Sequence, residues 1–349
     1  MLLTWQTFTL HKRVPLTISR GTTSENTNIW IKIHADGIEG WGEASPFSVS
    51  SEEKNPAKLL QELESIAPIL EPFHPLQRQE IEEIFRENSL SSATRAAIDT
   101  ALHDWLGKKA DLPLWKLWGL DRTRVPAVSA TIGISSPENA RKRVKDWLEI
   151  GDFRLLKVKL GSPDGLEADK ATLLAIQEVA PDRPLTVDAN GGWTLDNSVK
   201  MCYWLAERNV LYVEQPLPVG RESELGELRD RSPLPIFADE SCFSAADIPL
   251  LAPVVHGINI KLMKAGGLSE AVKMIHIAKI CGLQVMFGCY SDSSLANSAL
   301  AQLAPLANYL DLDSHLNLVD DPFAGVSLEG GRPVLNNRPG LGVTLRVKN

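Results

Sequence analysis

The pattern of hydrophobic and polar positions changes near residue 120 of the chain. Before that point, Phe8 to Leu16 and Asn28 to His34 read as strands, and the second is followed by a glycine-rich turn region from 37 to 42. Three helical stretches come next, near 55–70, 77–87 and 91–109. Strands followed by a run of helices predict an α+β domain over residues 1–120.

From about residue 124 onward, short apolar runs alternate with amphipathic stretches of helical spacing. This rhythm predicts a closed parallel (β/α) barrel over residues 121–320, with a doubly wound sheet as the alternative. The glycine- and proline-rich segment 321–349 is predicted to fold back onto the N-terminal domain. The eight predicted strands are Pro126–Ile132, Leu155–Leu160, Leu185–Asp188, Val210–Glu214, Ile236–Asp239, Gly257–Lys261, Gln284–Phe287 and Tyr309–Asp313.

Composition narrows the class of protein. The 349 residues include 36 Lys and Arg against 44 Asp and Glu, a net charge of −8, and 44% are hydrophobic. These values predict a soluble globular protein and argue against nucleic acid or an anionic membrane as the main partner. The four cysteines form no C-x-x-C pair, and neither a signal peptide nor a long apolar run is evident, so we expect a cytoplasmic location.

Three carboxylates stand at the carboxyl ends of three consecutive predicted strands. Asp188, Glu214 and Asp239 are separated by 26 and 25 residues, about one βα unit each. Neighbouring parallel strands lie about 4.8 Å apart, so these side chains can converge on one point. Because hard oxygen ligands suit Mg²⁺ better than zinc, the spacing predicts a magnesium site, with helix capping or lysine pairing as the alternative.

Lysines end two other predicted strands. Lys157 and Lys159 are two residues apart on one strand and point to the same face, whereas Lys261 comes from a strand four units later, across the barrel. An inward pair of like charges near a metal is expected to have a lowered ammonium pKa, through repulsion and desolvation, as a lysine base requires. Lys264 competes with Lys261 for this role, but we expect it to lie past the strand and outside the barrel mouth.

Together these residues resemble a known family. The K-x-K pair, the segments VDAN, VEQP, ADES and NIKLMKAGG, and the N-terminal GWGEASPF segment resemble the enolase superfamily, muconate-lactonizing-enzyme subgroup. The resemblance implies a modified (β/α)7β barrel with an N-terminal α+β capping domain. It also implies one Mg²⁺ per subunit held by Asp188, Glu214 and Asp239, which stabilises an enolate. Lys159 and Lys261 would be the acid/base pair, with Lys157 supporting Lys159 and Asn190 next to the metal ligands.

The eighth predicted strand narrows the substrate class. Asp311 and Asp313 lie on one face, and two uncompensated acids there imply a cationic group on the ligand. This D-x-D pair is similar to that of the dipeptide epimerases in the subgroup, isomerases in which it receives the N-terminal ammonium group. Arg20 looks like the arginine that would pair with the glutamate carboxylate in L-Ala-D/L-Glu epimerases, so the resemblance points to Ala-Glu as a substrate. A surface arginine is the alternative, and the preferred dipeptide stays open because other specificities in the family carry an arginine nearby too.

Other readings stay open at this point. The same lysine pair would serve an o-succinylbenzoate synthase or an N-acylamino acid racemase, and a barrel without activity would serve as a binding protein. Asp292 and the Ser314-His315 pair depart from the pattern of the family, and their effect on substrate choice is undetermined. Whether the chain forms a homo-oligomer is equally open.

Overall fold

The N-terminal part of the chain is built on an antiparallel sheet. In the computed structural model, which describes residues 1–49, 52–53 and 55–346, this sheet has the strand order β1-β2-β3. Both predicted strands are longer than expected, and the third strand falls where a turn region was predicted. The turn itself is confined to Asp36 and Gly37, which have φ values of 52° and 73°. The strands are β1 (Leu2–Ile18), β2 (Gly21–Ala35) and β3 (Ile38–Ala44).

Helices cover one side of this sheet. The longest, α3, is buried along most of its length and packs on β3. Gly40 and Gly42 make this contact possible, because a Cβ atom on either would lie within 2.1 Å of a carbonyl oxygen of α3. A short strand pair and four helices complete this part: β4 (Ser48–Val49), β5 (Glu52–Glu53), α1 (Pro56–Leu70), α2 (Arg78–Glu87), α3 (Ser92–Lys109) and α4 (Leu114–Leu117).

The central part of the chain forms a parallel sheet of eight strands within the described residues, in the order β6 to β13. A parallel bridge between Val128 and Leu310 joins the first strand region to the last and closes the barrel. The predicted fold class is therefore confirmed. The strands are β6 (Ser129–Ile132), β7 (Leu155–Lys159), β8 (Leu185–Asp188), β9 (Val210–Glu214), β10 (Ile236–Ala238), β11 (Gly257–Lys261), β12 (Gln284–Gly288) and β13 (Tyr309–Asp311).

Helices follow the barrel strands, and several begin at a side-chain cap. The Ser136 hydroxyl, for example, accepts a hydrogen bond from the Asn139 backbone and starts α5. The helices are α5 (Pro137–Ile150), α6 (Leu166–Val179), α7 (Leu195–Ala206), α8 (Leu225–Arg231), α9 (Ile248–Leu251), α10 (Leu262–Ala265), α11 (Leu268–Ile280) and α12 (Ser294–Ala301).

The segment after the barrel contacts the N-terminal sheet. The ring of Phe323 meets Phe8 and Trp30 edge to face, at centroid distances of 5.5 and 5.2 Å. Across the described residues, the helices include none of the length and hydropathy needed to cross a membrane. The strands of this segment are β14 (Phe323–Ala324), β15 (Ser327–Glu329), β16 (Arg332–Val334) and β17 (Thr344–Leu345).

Candidate active site

Three buried carboxylates meet at the carboxyl ends of neighbouring barrel strands. Asp188 ends β8, Glu214 ends β9 and Asp239 follows β10. One carboxylate oxygen from each lies within 4.8 Å of the others, an arrangement able to hold a metal ion. The Asn259 amide holds Glu214 in place by donating to its Oε1 at 2.7 Å. Three oxygen donors and no sulfur or imidazole suit Mg²⁺.

The three carboxylates repel one another strongly because they are close together and fully buried. Burial, together with the charges of Asp188 and Asp239, raises the pKa of Glu214 to about 8 against the opposing charge of Lys157. The pKa values of Asp188 and Asp239 are lowered instead, because nearby lysine charges outweigh the cost of burial. A divalent cation at this point would relieve the repulsion, so the residues fit the predicted metal.

Two lysines flank this group, one strand beyond it on each side. Lys159 ends β7, and its Nζ lies 2.6 Å from Asp188 Oδ2. Lys261 ends β11, and its Nζ lies 2.6 Å from Asp239 Oδ2. Since the strand order runs from β7 to β11 without interruption, the two ammonium groups approach the carboxylates from opposite sides. Both lysines line the same cavity.

Lys264 does not lie outside the barrel mouth, and that expectation is wrong. It is 1% exposed and sits on the short helix α10, directly after β11. Its Nζ donates to Asp239 Oδ1 at 2.6 Å and to the Asn259 carbonyl at 3.0 Å. The helical turn after Lys261 directs the Lys264 side chain back toward Asp239. Lys264 is absent from the residues that line the cavity holding Lys159 and Lys261.

Lys157 is fully buried and contacts three carboxylates, two of the predicted metal ligands and Asp311. Its Nζ lies 2.6 Å from both Glu214 Oε2 and Asp311 Oδ2, and 3.2 Å from Asp188 Oδ2. Burial disfavours its charge, but these carboxylates outweigh burial and raise its pKa well above the usual value. The lowering expected from the sequence supposed a metal ion beside the Lys157 and Lys159 pair and stays a prediction. The pKa of Lys261 is raised as well, because Asp239 outweighs burial.

The two acids of the D-x-D pair differ in their partners. Asp311 is compensated by Lys157 at 2.6 Å and accepts hydrogen bonds from Ser129 and Thr131. Asp313 accepts a hydrogen bond from the Thr131 backbone amide at 2.7 Å. Burial and the charge of Asp311 raise the pKa of Asp313 to about 6. The premise of two uncompensated acids is thus wrong for Asp311, and Asp313 is the acid left to meet a cation.

Arg20 lies at the turn between β1 and β2 and reaches the rim of the carboxylate group. Its Nη2 lies 2.8 Å from Glu240 Oε1, and its Nη1 donates to the Asn190 carbonyl at 3.0 Å. The side-chain amide of Asn190 in turn donates to Asp188 Oδ2 at 3.2 Å. The charge of Arg20 is therefore already matched by a carboxylate of the protein. Sequence reasoning missed Glu240, although it directly follows Asp239.

Two cavities open beside these residues and meet at Lys12, Lys159 and Tyr290, which line both. The first cavity, of about 390 Å³, is bounded by Asp311, Asp313 and residues of β1 and α5. The second cavity, of about 440 Å³, contains both Lys159 and Lys261. Its remaining wall is about evenly polar and apolar. The apolar part includes Leu16, Ile18, Pro46, Phe47 and Tyr290, and the polar part includes Arg20, Thr22, Thr23 and Asn26.

His315 and Asp292 are buried near the site but belong to neither cavity wall. Within the described residues, both ring nitrogens of His315 are without a hydrogen-bond partner. Burial and the charge of Arg346 lower the pKa of His315 to about 4, so the ring is neutral at pH 7. The Asp292 carboxylate accepts the Tyr290 backbone amide at 3.1 Å and is 3% exposed. Ser314, the neighbour of His315, does line the first cavity, and its hydroxyl donates to the Asp292 carbonyl at 2.8 Å.

Comparison with known proteins places these features in a family. Residues 4–119 match the model "Mandelate racemase / muconate lactonizing enzyme, N-terminal domain", and residues 139–349 match "Enolase C-terminal domain-like". A hydrophobic dipeptide epimerase of a Flavobacteria bacterium is 43% identical over 99% of both chains. An L-Ala-D/L-Glu epimerase of Bacteroides thetaiotaomicron is 35% identical over 98% of this chain and 88% of that protein.

Solved structures agree with this comparison. A dipeptide epimerase of Enterococcus faecalis, crystallised with Mg and the dipeptide L-Leu-L-Tyr, superposes with a TM-score of 0.91 at 31% identity. That match covers 98% of this chain and 99% of that chain. A substrate-liganded complex of the L-Ala-D/L-Glu epimerase from Bacillus subtilis gives a TM-score of 0.92 at 26% identity, covering 98% of both chains.

Proposed function

The chain belongs to the mandelate racemase/muconate lactonizing enzyme family of the enolase superfamily, and from this premise we propose that it is a Mg²⁺-dependent dipeptide epimerase. It inverts the α-carbon of the second residue of a dipeptide, an isomerase reaction. The observation that carries the proposal is the placement of Lys159 and Lys261 on opposite sides of one buried carboxylate group. Relatives that match this chain over nearly its whole length bear the names of dipeptide epimerases.

In this proposal, Asp188, Glu214 and Asp239 hold the ion. When bound, Mg²⁺ supplies positive charge that stabilises the negative charge left on the substrate after the α-proton departs. Lys159 removes the proton from one face of the α-carbon, and Lys261 returns a proton to the other face, or the reverse for the other epimer. The buried carboxylates keep both Nζ atoms in place, so each lysine is positioned before the substrate arrives.

The substrate is held at its other end by the D-x-D pair. Asp313 receives the N-terminal ammonium, while Asp311 is shared with Lys157. The first cavity contains Asp311 and Asp313, the second contains Lys261, and Lys159 lines both. A dipeptide in the two adjoining cavities could therefore extend from the acids to both lysines. The substrates of the racemase and succinylbenzoate synthase alternatives lack an ammonium group for Asp313 to receive, which disfavours both alternatives.

The second residue of the dipeptide is proposed to be hydrophobic. Its side chain enters the second cavity, whose wall includes Leu16, Ile18 and Phe47. From the sequence, Arg20 was expected to bind the side-chain carboxylate of a glutamate in the substrate. In the structure, Arg20 is instead paired with Glu240 of the protein at 2.8 Å. A glutamate side chain would have to displace Glu240, so L-Ala-L-Glu is the less favoured substrate. A cytoplasmic location and a homo-oligomer stay predictions from the sequence.

The test is isotope exchange with purified protein and Mg²⁺ in D₂O. We expect dipeptides such as L-Ala-L-Leu and L-Ala-L-Phe to incorporate deuterium at the second α-carbon and to invert there, faster than L-Ala-L-Glu. Deuterium is read by mass spectrometry and inversion by chiral chromatography. Failure of the whole dipeptide panel, with racemisation of an N-succinyl amino acid instead, contradicts the proposed function.

Single lysine variants sharpen this test. Lys159→Ala and Lys261→Ala should each abolish epimerisation, because inversion needs a proton transfer on both faces. Each variant is expected to exchange only the epimer whose α-proton faces the remaining lysine. Equal exchange of both epimers by either variant would contradict the two-lysine assignment. Lys170→Ala is the matched control, because this lysine of α6 is partly exposed and pairs with Glu167.

A further inference from the structure

Two cations in the first cavity are without a carboxylate partner. Lys12 projects from β1, and its Nζ donates to the Ser291 hydroxyl at 2.7 Å. Arg143 projects from α5, is 8% exposed and donates from Nη2 to Asn317 Oδ1 at 2.9 Å. Among the described residues, neither side chain has an ion pair within 4.0 Å. The Arg143 Nη1 group has no hydrogen-bond partner there either.

Both cations are desolvated by burial, and among the described residues no carboxylate lies within ion-pair distance to compensate their charge. Burial lowers the pKa of Lys12 and the pKa of Arg143, and the more distant acids, including Asp313, do not restore either value. The other basic groups of this cavity differ, since Lys142 is paired with Asp146 at 2.9 Å and Lys159 with Asp188 at 2.6 Å. A buried cation of this kind is stabilised by a carboxylate brought in from outside.

The two side chains come from different parts of the fold. Lys12 belongs to the N-terminal sheet, and Arg143 to the first barrel helix, where it stacks on the Trp147 ring at 4.1 Å. Asp313, assigned above to the ammonium group, lines the same cavity. The cavity therefore offers one acidic group and two basic groups to the residue that occupies it. That pattern complements an amino acid carrying both an ammonium group and a side-chain carboxylate.

We propose that Lys12 and Arg143 select dipeptides whose first residue is acidic, L-Glu or L-Asp, by pairing with its side-chain carboxylate in the first cavity. The inference rests on the proposed function, because it assumes that Asp313 binds the ammonium group of a dipeptide. The second residue of such a substrate is hydrophobic, as argued above. Neither lysine of the proton-transfer pair takes part in this selection.

The test compares first residues of similar length at a constant second residue. Wild-type protein with Mg²⁺ is assayed on L-Glu-L-Leu, L-Gln-L-Leu and L-Met-L-Leu. A charge-assisted contact predicts that kcat/KM for L-Glu-L-Leu exceeds each of the others by about tenfold or more. This series needs no variant, so misfolding cannot obscure it. A rate for L-Gln-L-Leu or L-Met-L-Leu equal to or above that for L-Glu-L-Leu overturns the inference.

Variants then assign the effect to residues. In Lys12→Met and in Arg143→Met, the ratio of kcat/KM between L-Glu-L-Leu and L-Gln-L-Leu should fall toward one, mainly through KM. The matched control is Arg141→Met on α5, a partly exposed arginine that pairs with Glu178 outside the cavity and should keep the wild-type ratio. An unchanged ratio in both cavity variants overturns the assignment.

The failure of this inference differs from failure of the proposed function. If dipeptides are epimerised without regard to an acidic first residue, the inference is wrong and the function stands. If no dipeptide of either panel is epimerised, the proposed function is wrong and the inference falls with it. Circular dichroism and thermal unfolding of each variant accompany the kinetic measurements.

Discussion

Lys264 illustrates how a single buried side chain can serve the site without facing the substrate. Its ammonium group is enclosed by Asp239 and the Asn259 carbonyl, and it fixes the carboxylate that also contacts Lys261. Removing one partner of a buried ion pair leaves the other charge uncompensated. Its role therefore follows from packing around Asp239 and differs from that of Lys261.

We expect Lys264→Met to destabilise the protein by about 1–3 kcal/mol, because Asp239 loses one of its two buried ammonium partners and keeps Lys261. Chemical denaturation measures this change. Lys273→Met, which removes an exposed lysine paired with Glu82, should cost less than about 1 kcal/mol and is the control. A Lys264→Met protein as stable as the control would contradict the structural role assigned here.

His315 is predicted to make stability depend on pH. Its ring is buried with a lowered pKa of about 4, so the unfolded chain takes up a proton that the folded chain refuses between about pH 6.5 and pH 4. Its contribution to stability is complete above pH 6.5 and is lost as the pH falls toward 4, by about 3 kcal/mol in full. His315→Leu should remove this dependence.

Denaturation midpoints of wild type and His315→Leu at pH 4.5, 5.5 and 7.5 check the prediction. Because both ring nitrogens are without partners among the described residues, replacing the ring by an apolar side chain should cost little at pH 7.5. His74→Leu, a half-exposed histidine near Asp36, is the control. Parallel pH curves for wild type and His315→Leu would show that His315 is not the titrating group.

At the scale of elements, the contact between β3 and α3 depends on two glycines. A Cβ atom on Gly42 would lie 1.9 Å from the Ala97 carbonyl oxygen, so strand and helix could not keep this distance. Gly42→Ala should destabilise the protein by about 3 kcal/mol or more, because backbone rather than a flexible side chain must move. Thermal and chemical unfolding measure the loss.

Gly226 offers a matched control for that substitution. It lies inside α8, and a Cβ atom there would meet only Val254 Cγ1, at 3.5 Å. Gly226→Ala should therefore be neutral or stabilise by up to about 1 kcal/mol through helix propensity. If both alanine variants change stability equally, the close approach of β3 to α3 is not what requires Gly42.

The glycines also explain which elements the sequence could predict. The strands β8, β9 and β11 begin and end where the apolar runs placed them, because a buried parallel strand reads as a continuous hydrophobic segment. In β3, by contrast, Gly40 and Gly42 resemble a turn, and their real cause is the helix packed against them. A contact with a distant element leaves no local signal.

In the site, too, the sequence could predict what local patterns determine but not what contacts between distant side chains determine. Strand-end charges predicted that Asp188, Glu214 and Asp239 would meet, because strand order alone brings them together. The pairing of Asp311 with Lys157, the Arg20–Glu240 pair and the return of Lys264 depend on side-chain directions and turns. The periodicity of the sequence carries no information about side-chain directions and turns. For this reason the expectation that Asp311 is uncompensated was wrong, and so was the expectation that Lys264 lies outside the barrel mouth.

At the scale of the whole molecule, the site is completed by contacts between its N-terminal and barrel parts. Glu43 of β3 accepts hydrogen bonds from the Ser293 and Ala296 backbone amides at the start of α12. The Asn317 amide pairs with the backbone of Val14 in β1. Both cavities have walls from the two parts. Occupation of the site should therefore stabilise the fold as a unit.

Metal binding is expected to raise the stability of the whole protein, because the folded chain brings together three carboxylates that the unfolded chain keeps apart. At a hundredfold excess of Mg²⁺ over its Kd, the stabilisation should be about 2.7 kcal/mol. Thermal unfolding of chelator-treated protein with and without MgCl₂ measures it. NaCl at equal ionic strength controls for screening of charge, and Asp188→Asn should lose the Mg²⁺ effect. An equal shift with NaCl, or an unchanged shift in Asp188→Asn, would mean that the ion does not bind between these carboxylates.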